Sequence, residues 1–141
     1  MIYKVLRFVS HIFNSSNQYS VHSPVVYKLL TECIYKDERK ILKKNIQFLN
    51  LRLVNLYKKQ FLIHTIDNIL SNKVSEILEA NGRKKENTIL LIKNIKLKNE
   101  YSCWKKLIIG KEIQVSIDFY YFGILILKVN KLQKQDYIIR L

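Results

Sequence analysis

Two cysteines, three glycines, one proline and a single alanine (Ala80) are all that this 141-residue chain holds of those residue types. Cys33 and Cys103 stand alone, with no CxxC spacing and no histidine beside them. That excludes a zinc site and a disulfide framework and predicts two buried, reduced thiols in a cytoplasmic protein. No stretch approaches the ~18 consecutive apolar residues of a membrane span. Ile2, Val5, Leu6, Val9, Ile12 and Phe13 recur at helical spacing, but Lys4, Arg7 and His11 interrupt them and no small-residue cleavage site follows, so no secretory leader is expected. The segment predicts an amphipathic helix packing on its own domain, with a membrane-surface helix as the alternative. There is neither an internal repeat nor a low-complexity linker.

Apolar residues make up 48% of the chain, enough for a core and too many for a disordered segment. The formal charge is +14. A balance that basic suits nucleic acid or another anionic surface. Its composition offers a plainer origin: 20 Lys, 20 Ile and 12 Asn stand against five Arg and one Ala. The abundant types have AT-rich codons and the scarce ones GC-rich codons, so mutational drift raises the charge without selection for binding. The charge is also spread along the chain and not gathered into a stripe.

Residues 2–13 read as a helix and 14–20 as a polar loop. Ser23-Pro24 suits a helix start, with serine capping free N–H groups and proline at the first helical position; the helix runs to about Tyr35. A longer helix is predicted over 38–58, where Leu42, Ile46, Leu49, Leu53 and Leu56 form one stripe. Residues 61–66 read as a strand. Ser71 can cap a helix through Ala80 that Asn81-Gly82 ends. Thr88–Ile92 has the continuous apolar pattern of a strand buried on both faces. A weaker helix follows over 97–107 around Trp104, then strands over 112–119, 123–129 and 137–141, the last at an edge. Helices followed by β-α-β-α-β-β predict an α/β fold with parallel strands and a closing antiparallel pair.

Three segments together resemble a bacterial subgroup of class I S-adenosylmethionine (SAM) dependent methyltransferases with an N-terminal helical extension. They are Asn17-Gln18 with Val21-His22-Ser23-Pro24-Val25-Val26-Tyr27; the helix Arg52-Leu53-Val54-Asn55-Leu56-Tyr57-Lys58; and Val115 to Leu127 (VSIDFYYFGILIL), similar to the family's closing β-hairpin. The resemblance implies a helical extension over 1–58 and, over 59–141, a truncated Rossmann-like methyltransferase sheet ending in an antiparallel hairpin. It also exposes departures. In this family the first strand ends in an acidic residue and a Gly-x-x-x-Gly loop that lets the backbone approach SAM. Here His64 stands at the acidic position, Ile66 and Leu70 stand where the glycines belong, and Asn68 lies between them. A β-branched residue takes φ > 0 only at a cost, and its side chain takes up cofactor space. No glycine lies between Pro24 and Gly82 to replace them. The acidic pair of the family's active-site position is matched by Lys93-Asn94. A full SAM domain needs roughly 160 residues at mean element and loop lengths, whereas 82 run from Gln60 to Leu141. The second to fourth strands are the ones missing by position, and the first, fifth, seventh and sixth are expected to lie side by side.

Other constellations carry less. His11, His22 and His64 lie far apart and read as structural histidines, His22 bracing the Ser23 cap. Asp67 and Asp118 have no sequence feature to bring them together as a carboxylate pair. Ser23 and Ser71 read as caps before nucleophiles. Arg83-Lys84-Lys85 reads as a solvated loop. Phe119-Tyr120-Tyr121-Phe122 beside Lys128 and Lys131 reads as hairpin core plus one exposed ring; the alternative is base stacking by Tyr120 and Tyr121 with Lys128 and Lys131 on phosphates. The leading expectation is a degenerate, non-catalytic methyltransferase relative with no catalytic, metal or intact cofactor residues, no cofactor (SAM if any), and either self-association or a protein partner. A basic RNA- or ribosome-associated module, binding nucleic acid weakly and without specificity, is the second reading. An active methyltransferase with an unconventional or subunit-completed pocket is the third.

Overall fold

The structure is a computed structural model, and it describes residues 2–15, 24–34, 46–57, 60–69, 73–84, 86–127 and 134–139. Its helices are α1 (Ile2–Asn14), α2 (Pro24–Leu29), α3 (Ile46–Tyr57), α4 (Lys73–Lys84) and α5 (Lys98–Ile108). The strands are β1 (Leu62–Ile66), β2 (Thr88–Lys93), β3 (Val115–Asp118), β4 (Phe122–Leu127) and β5 (Gln135–Ile138). They form one mixed sheet in the order β1-β2-β4-β3-β5. β1 is parallel to β2 and β3 to β5, while β4 runs antiparallel between β2 and β3. The expected α/β class holds, as does the closing antiparallel hairpin.

Period-two alternation explains how this sheet has a helical layer on each face. Ile89 and Leu91 of β2, Val115 and Ile117 of β3, and Ile124 and Ile126 of β4 point one way, onto Val26, Leu29, Leu30, Cys33, Leu49, Leu53 and Tyr57 of the α2 and α3 region. Leu90 and Ile92, with Ile66, Leu125 and Leu127, point the other way onto Val74 of α4 and Trp104 of α5. β2 and β4 are therefore apolar on both faces, which is why the uninterrupted run from Thr88 to Ile92 is legible as an interior strand. α2, α3 and the sheet share one core.

Several boundaries differ from expectation. α2 passes into a π-helical turn, Leu30–Ile34, which buries Leu30, Cys33 and Ile34; Arg52 Nη1 donates to the Cys33 carbonyl at 2.9 Å, satisfying an oxygen freed at the helix end. Asn81-Gly82 does not end α4, which continues to Lys84. The Asn81 side chain instead reaches forward, its Nδ2 donating to the Glu86 carbonyl and, at 2.7 Å, to Thr88 Oγ1, and so ties the helix to the start of β2. β5 begins at Gln135, before the expected Tyr137, because Ser116 Oγ donates to Asp136 Oδ1 at 2.6 Å and fixes that register against β3. The Ser23 cap, Ser71 and Leu42 lie outside the described residues, as do the side chains of Ile46, Arg83 and Lys84.

α1 departs furthest. It was expected to pack by its apolar face, yet its buried residues are Arg7 and His11, and Ile2, Val5, Leu6, Val9 and Phe13 are exposed. The cause is the chemistry it meets: the end of β3 presents the carboxylate of Asp118, which only a polar helix face can satisfy.

Candidate functional site

In open α/β sheets, ligands gather beyond the carboxyl ends of the parallel strands. Here that end holds Asp67 after β1, Lys93 and Asn94 at the end of β2, Asp118 at the end of β3, and the hairpin tip Phe119-Tyr120-Tyr121. The Asn94 N–H donates to the Tyr121 carbonyl at 3.2 Å, so the β2 end and the tip are adjacent.

The hairpin tip is a strained turn held from outside. Tyr121 N–H donates to the Phe119 carbonyl at 3.0 Å, and the residue between them, Tyr120, has a φ of 74°. A 1→3 bond around a positive φ is the rarer, strained form of γ-turn, and a bulky aromatic is a poor occupant. Asp118 offsets the strain: its Oδ1 accepts the Tyr120 N–H at 2.8 Å. Arg7 Nη2 donates to both Asp118 oxygens, at 3.3 and 3.1 Å, and the guanidinium lies 3.6 Å from the Tyr101 ring centroid. His11 Nε2 donates to the Ile139 carbonyl at 3.1 Å, with Nδ1 3.7 Å from Asp118 Oδ1. Phe8 meets the Tyr120 ring edge-on, 5.2 Å between centroids. Burial pushes the Tyr101 and Tyr120 hydroxyls up from their ordinary pKa, against the lowering effect of Arg7, so neither supplies a phenolate base near neutral pH. Tyr57 is likewise pushed up by burial, with Cys33 and Glu32 adding to it.

The β1 end is closed by the chain's own groups. Ile66 is buried in the core with Val74 and Ile92. The N–H of Ile69, three residues beyond the end of β1, donates to Glu100 Oε2 at 2.6 Å. Glu100 belongs to α5 and is itself buried. Asn94 Nδ2 donates to the Asp67 carbonyl at 3.3 Å, and Lys93 Nζ lies 3.2 Å from Asp67 Oδ1. Asn94 has a φ of 63°, a conformation that asparagine adopts more readily than most residues. Among the described residues, positive φ occurs at Asn94 and Tyr120 and nowhere in Ile66 to Ile69.

Lys93 and Asn94 thus meet Asp67 at the crevice. Asn68 is exposed there, and Leu70 lies outside the described residues. His64 faces away from that end, lining an open cavity of about 300 Å³ between β1 and α4 with Leu62, Glu76, Ile77, Glu86 and Thr88. Asp67 is exposed and paired with Lys93 whereas Asp118 is buried and paired with Arg7, so the two are not a carboxylate pair. Tyr120 is buried against α1; Tyr121 is half-buried with Lys96 Nζ 5.5 Å from its ring centroid. Lys128, Lys131 and His22 lie outside the described residues. No group of three His, Cys, Asp or Glu able to hold a metal occurs among the described residues.

Sequence reasoning missed Arg7, Glu100 and the Asp118–Tyr120 turn. The available signals were Arg7 and His11 one turn apart on the polar face of α1, and a lone carboxylate, Asp118, in an otherwise apolar hairpin. Glu100 carried none, because a glutamate in a first helical turn is an ordinary surface residue.

These features define an α/β protein with a five-stranded mixed open sheet, whose ligand-prone end is tied up by internal ion pairs and hydrogen bonds. Comparison of the chain with models of protein families, with curated proteins and with solved structures returns no match.

Proposed function

We propose that this protein is a non-catalytic relative of the class I SAM-dependent methyltransferases that works by binding. One observation carries the reading: the Glu100 carboxylate takes the Ile69 N–H at 2.6 Å, in the loop whose free backbone a SAM site needs. A cofactor carboxylate or ribose arriving there meets a buried anion in place of an open donor. The strand order is a second support, since β1-β2-β4-β3 has the neighbours expected of a sheet that keeps the first, fifth, seventh and sixth strands. The departures at His64, Ile66, Lys93 and Asn94 point the same way. Among the described residues β1 pairs with β2 alone, and Leu62 is exposed beside the open cavity. An edge strand of that kind accepts a further strand from a partner or a second copy.

Calorimetry with SAM tests the cofactor half of the reading. No heat of binding is expected through the millimolar range. A dissociation constant near the micromolar range overturns it and restores an active methyltransferase.

A further inference from the structure

The sequence pattern of α1 and its packing disagree, and the disagreement defines a surface. Ile2, Val5, Leu6 and Val9 follow the i, i+3, i+4, i+7 spacing of one helix face, and Ile12 and Phe13 extend it by another turn. Such a face ordinarily turns to the core. Here Phe13 is 83% exposed, Ile2 77% and Leu6 63%, while Arg7 and His11 anchor the opposite face to Asp118 and Ile139. The result is a continuous apolar strip about 20 Å long, at 1.5 Å per residue, on a helix already docked by its other side. Single exposed apolar residues need no explanation, but a contiguous strip marks an interaction site.

We propose that α1 seats on an anionic phospholipid bilayer, its apolar strip entering the boundary between headgroups and acyl chains. Charge selects this occupant. α1 contains no acidic residue. Lys4 is exposed on its Arg7 side, and two exposed lysines of α5 lie near α1: Lys98 Nζ is 5.9 Å from the Tyr3 ring centroid, and Lys105 Nζ 5.1 Å from that of Tyr101, the ring on which Arg7 stacks. The carboxylate that meets α1, Asp118, is already neutralised by Arg7. An apolar strip on a helix that has no acidic residue and has exposed cations beside it is the chemistry of a helix lying in an anionic interface. A second copy is the poorer fit, because its α1 brings no acidic residue to pair with the cations Lys4, Lys98 and Lys105 around this helix. The site is a surface seat and not a span: no helix among the described residues is long and apolar enough to cross a membrane. The inference is independent of whether the chain binds SAM.

Flotation of the whole chain with vesicles tests it. One set is phosphatidylcholine alone and the other phosphatidylcholine with phosphatidylglycerol in equal parts. Binding to the mixed vesicles is expected, at least tenfold stronger than to phosphatidylcholine alone. Leu6→Asn with Phe13→Asn is expected to weaken it at least tenfold, and Lys98→Glu with Lys105→Glu to remove the preference for the anionic lipid. Because all four side chains are exposed, circular dichroism and thermal melts of the variants should match those of the parent chain. Absence of vesicle binding overturns the proposal, as does binding that the Leu6 and Phe13 changes leave intact. Equal binding to both vesicle types overturns the choice of an anionic surface. Lipid-independent dimerisation that the Leu6 and Phe13 changes abolish overturns it in favour of a second copy.

Discussion

α1 and α3 are both amphipathic helices, and they pack in opposite senses. α3 buries Leu49, Leu53 and Tyr57 at four-residue intervals against Ile89, Leu91 and the inner face of the hairpin. α1 buries Arg7 and His11 and leaves its apolar stripe outside. The difference lies in what each helix meets. α3 lies over a sheet face made of branched aliphatic side chains, where apolar area is the only thing to satisfy. α1 lies over the end of β3, where a buried carboxylate and the Ile139 carbonyl need donors. Burying an ion without a partner is opposed by several kcal/mol (roughly 3–5 when one member of a buried pair is removed), which exceeds the ~1.5–3 kcal/mol from burying one more aliphatic side chain. The polar face therefore wins at that position.

The comparison breaks most sharply at the ion pair. Arg7→Met leaves the Asp118 carboxylate buried without its counter-ion and is expected to destabilise the fold by about 3–5 kcal/mol. Adding Asp118→Asn should recover much of that loss, because the amide oxygen still accepts the Tyr120 N–H while the stranded charge disappears. Urea unfolding of the two single variants and the double variant measures the coupling. A cost below about 1 kcal/mol for Arg7→Met would place the pair with exposed ion pairs and mean that α1 is not docked through it. At the matching position of α3, Leu53→Ala is expected to cost about 2–5 kcal/mol through lost burial and the cavity left behind. Leu53 is buried in the apolar core and its loss strands no charge, so no second substitution should rescue it as Asp118→Asn rescues Arg7→Met. That difference in rescue, read by the same unfolding experiment, separates docking by charge from docking by apolar area.

How much of this was legible in the sequence follows from the same physics. β2, β4 and α3 were readable because apolar periodicity reports burial directly: the run TILLI and the positions Leu49 and Leu53 can be read without a partner in view. The α/β class and the closing hairpin followed from the order of such elements. α1 was readable as a helix but not in its orientation, since periodicity shows that two faces differ and not which one the neighbour requires. The neighbour's requirement rests on Asp118, more than a hundred residues away in sequence. The crevice was not legible: the group that takes the Ile69 N–H there, Glu100, was hidden among ordinary helix-start acids. The extension of α4 past Gly82 was missed because Asn81-Gly82 is a local stop signal, and here Asn81 spends its side chain on Glu86 and Thr88.

The smallest expected effect is also the most discriminating. Leu6→Asn with Phe13→Asn removes two of the largest apolar side chains of α1, and by sequence pattern alone these belong to its core face, where each would cost about 2–5 kcal/mol. In the structure both are exposed, and surface changes away from caps, cores and ion pairs stay within about 0.5 kcal/mol of neutral. Urea midpoints of parent and variant chains are therefore expected to coincide in the absence of lipid. A loss of several kcal/mol would mean that the apolar stripe is covered in the folded protein, so that α1 packs as α3 does and Arg7 faces water. Coincident midpoints, with Arg7→Met strongly destabilising beside them, would fix the polar face of α1 as its buried one and leave the stripe free for a surface outside the fold.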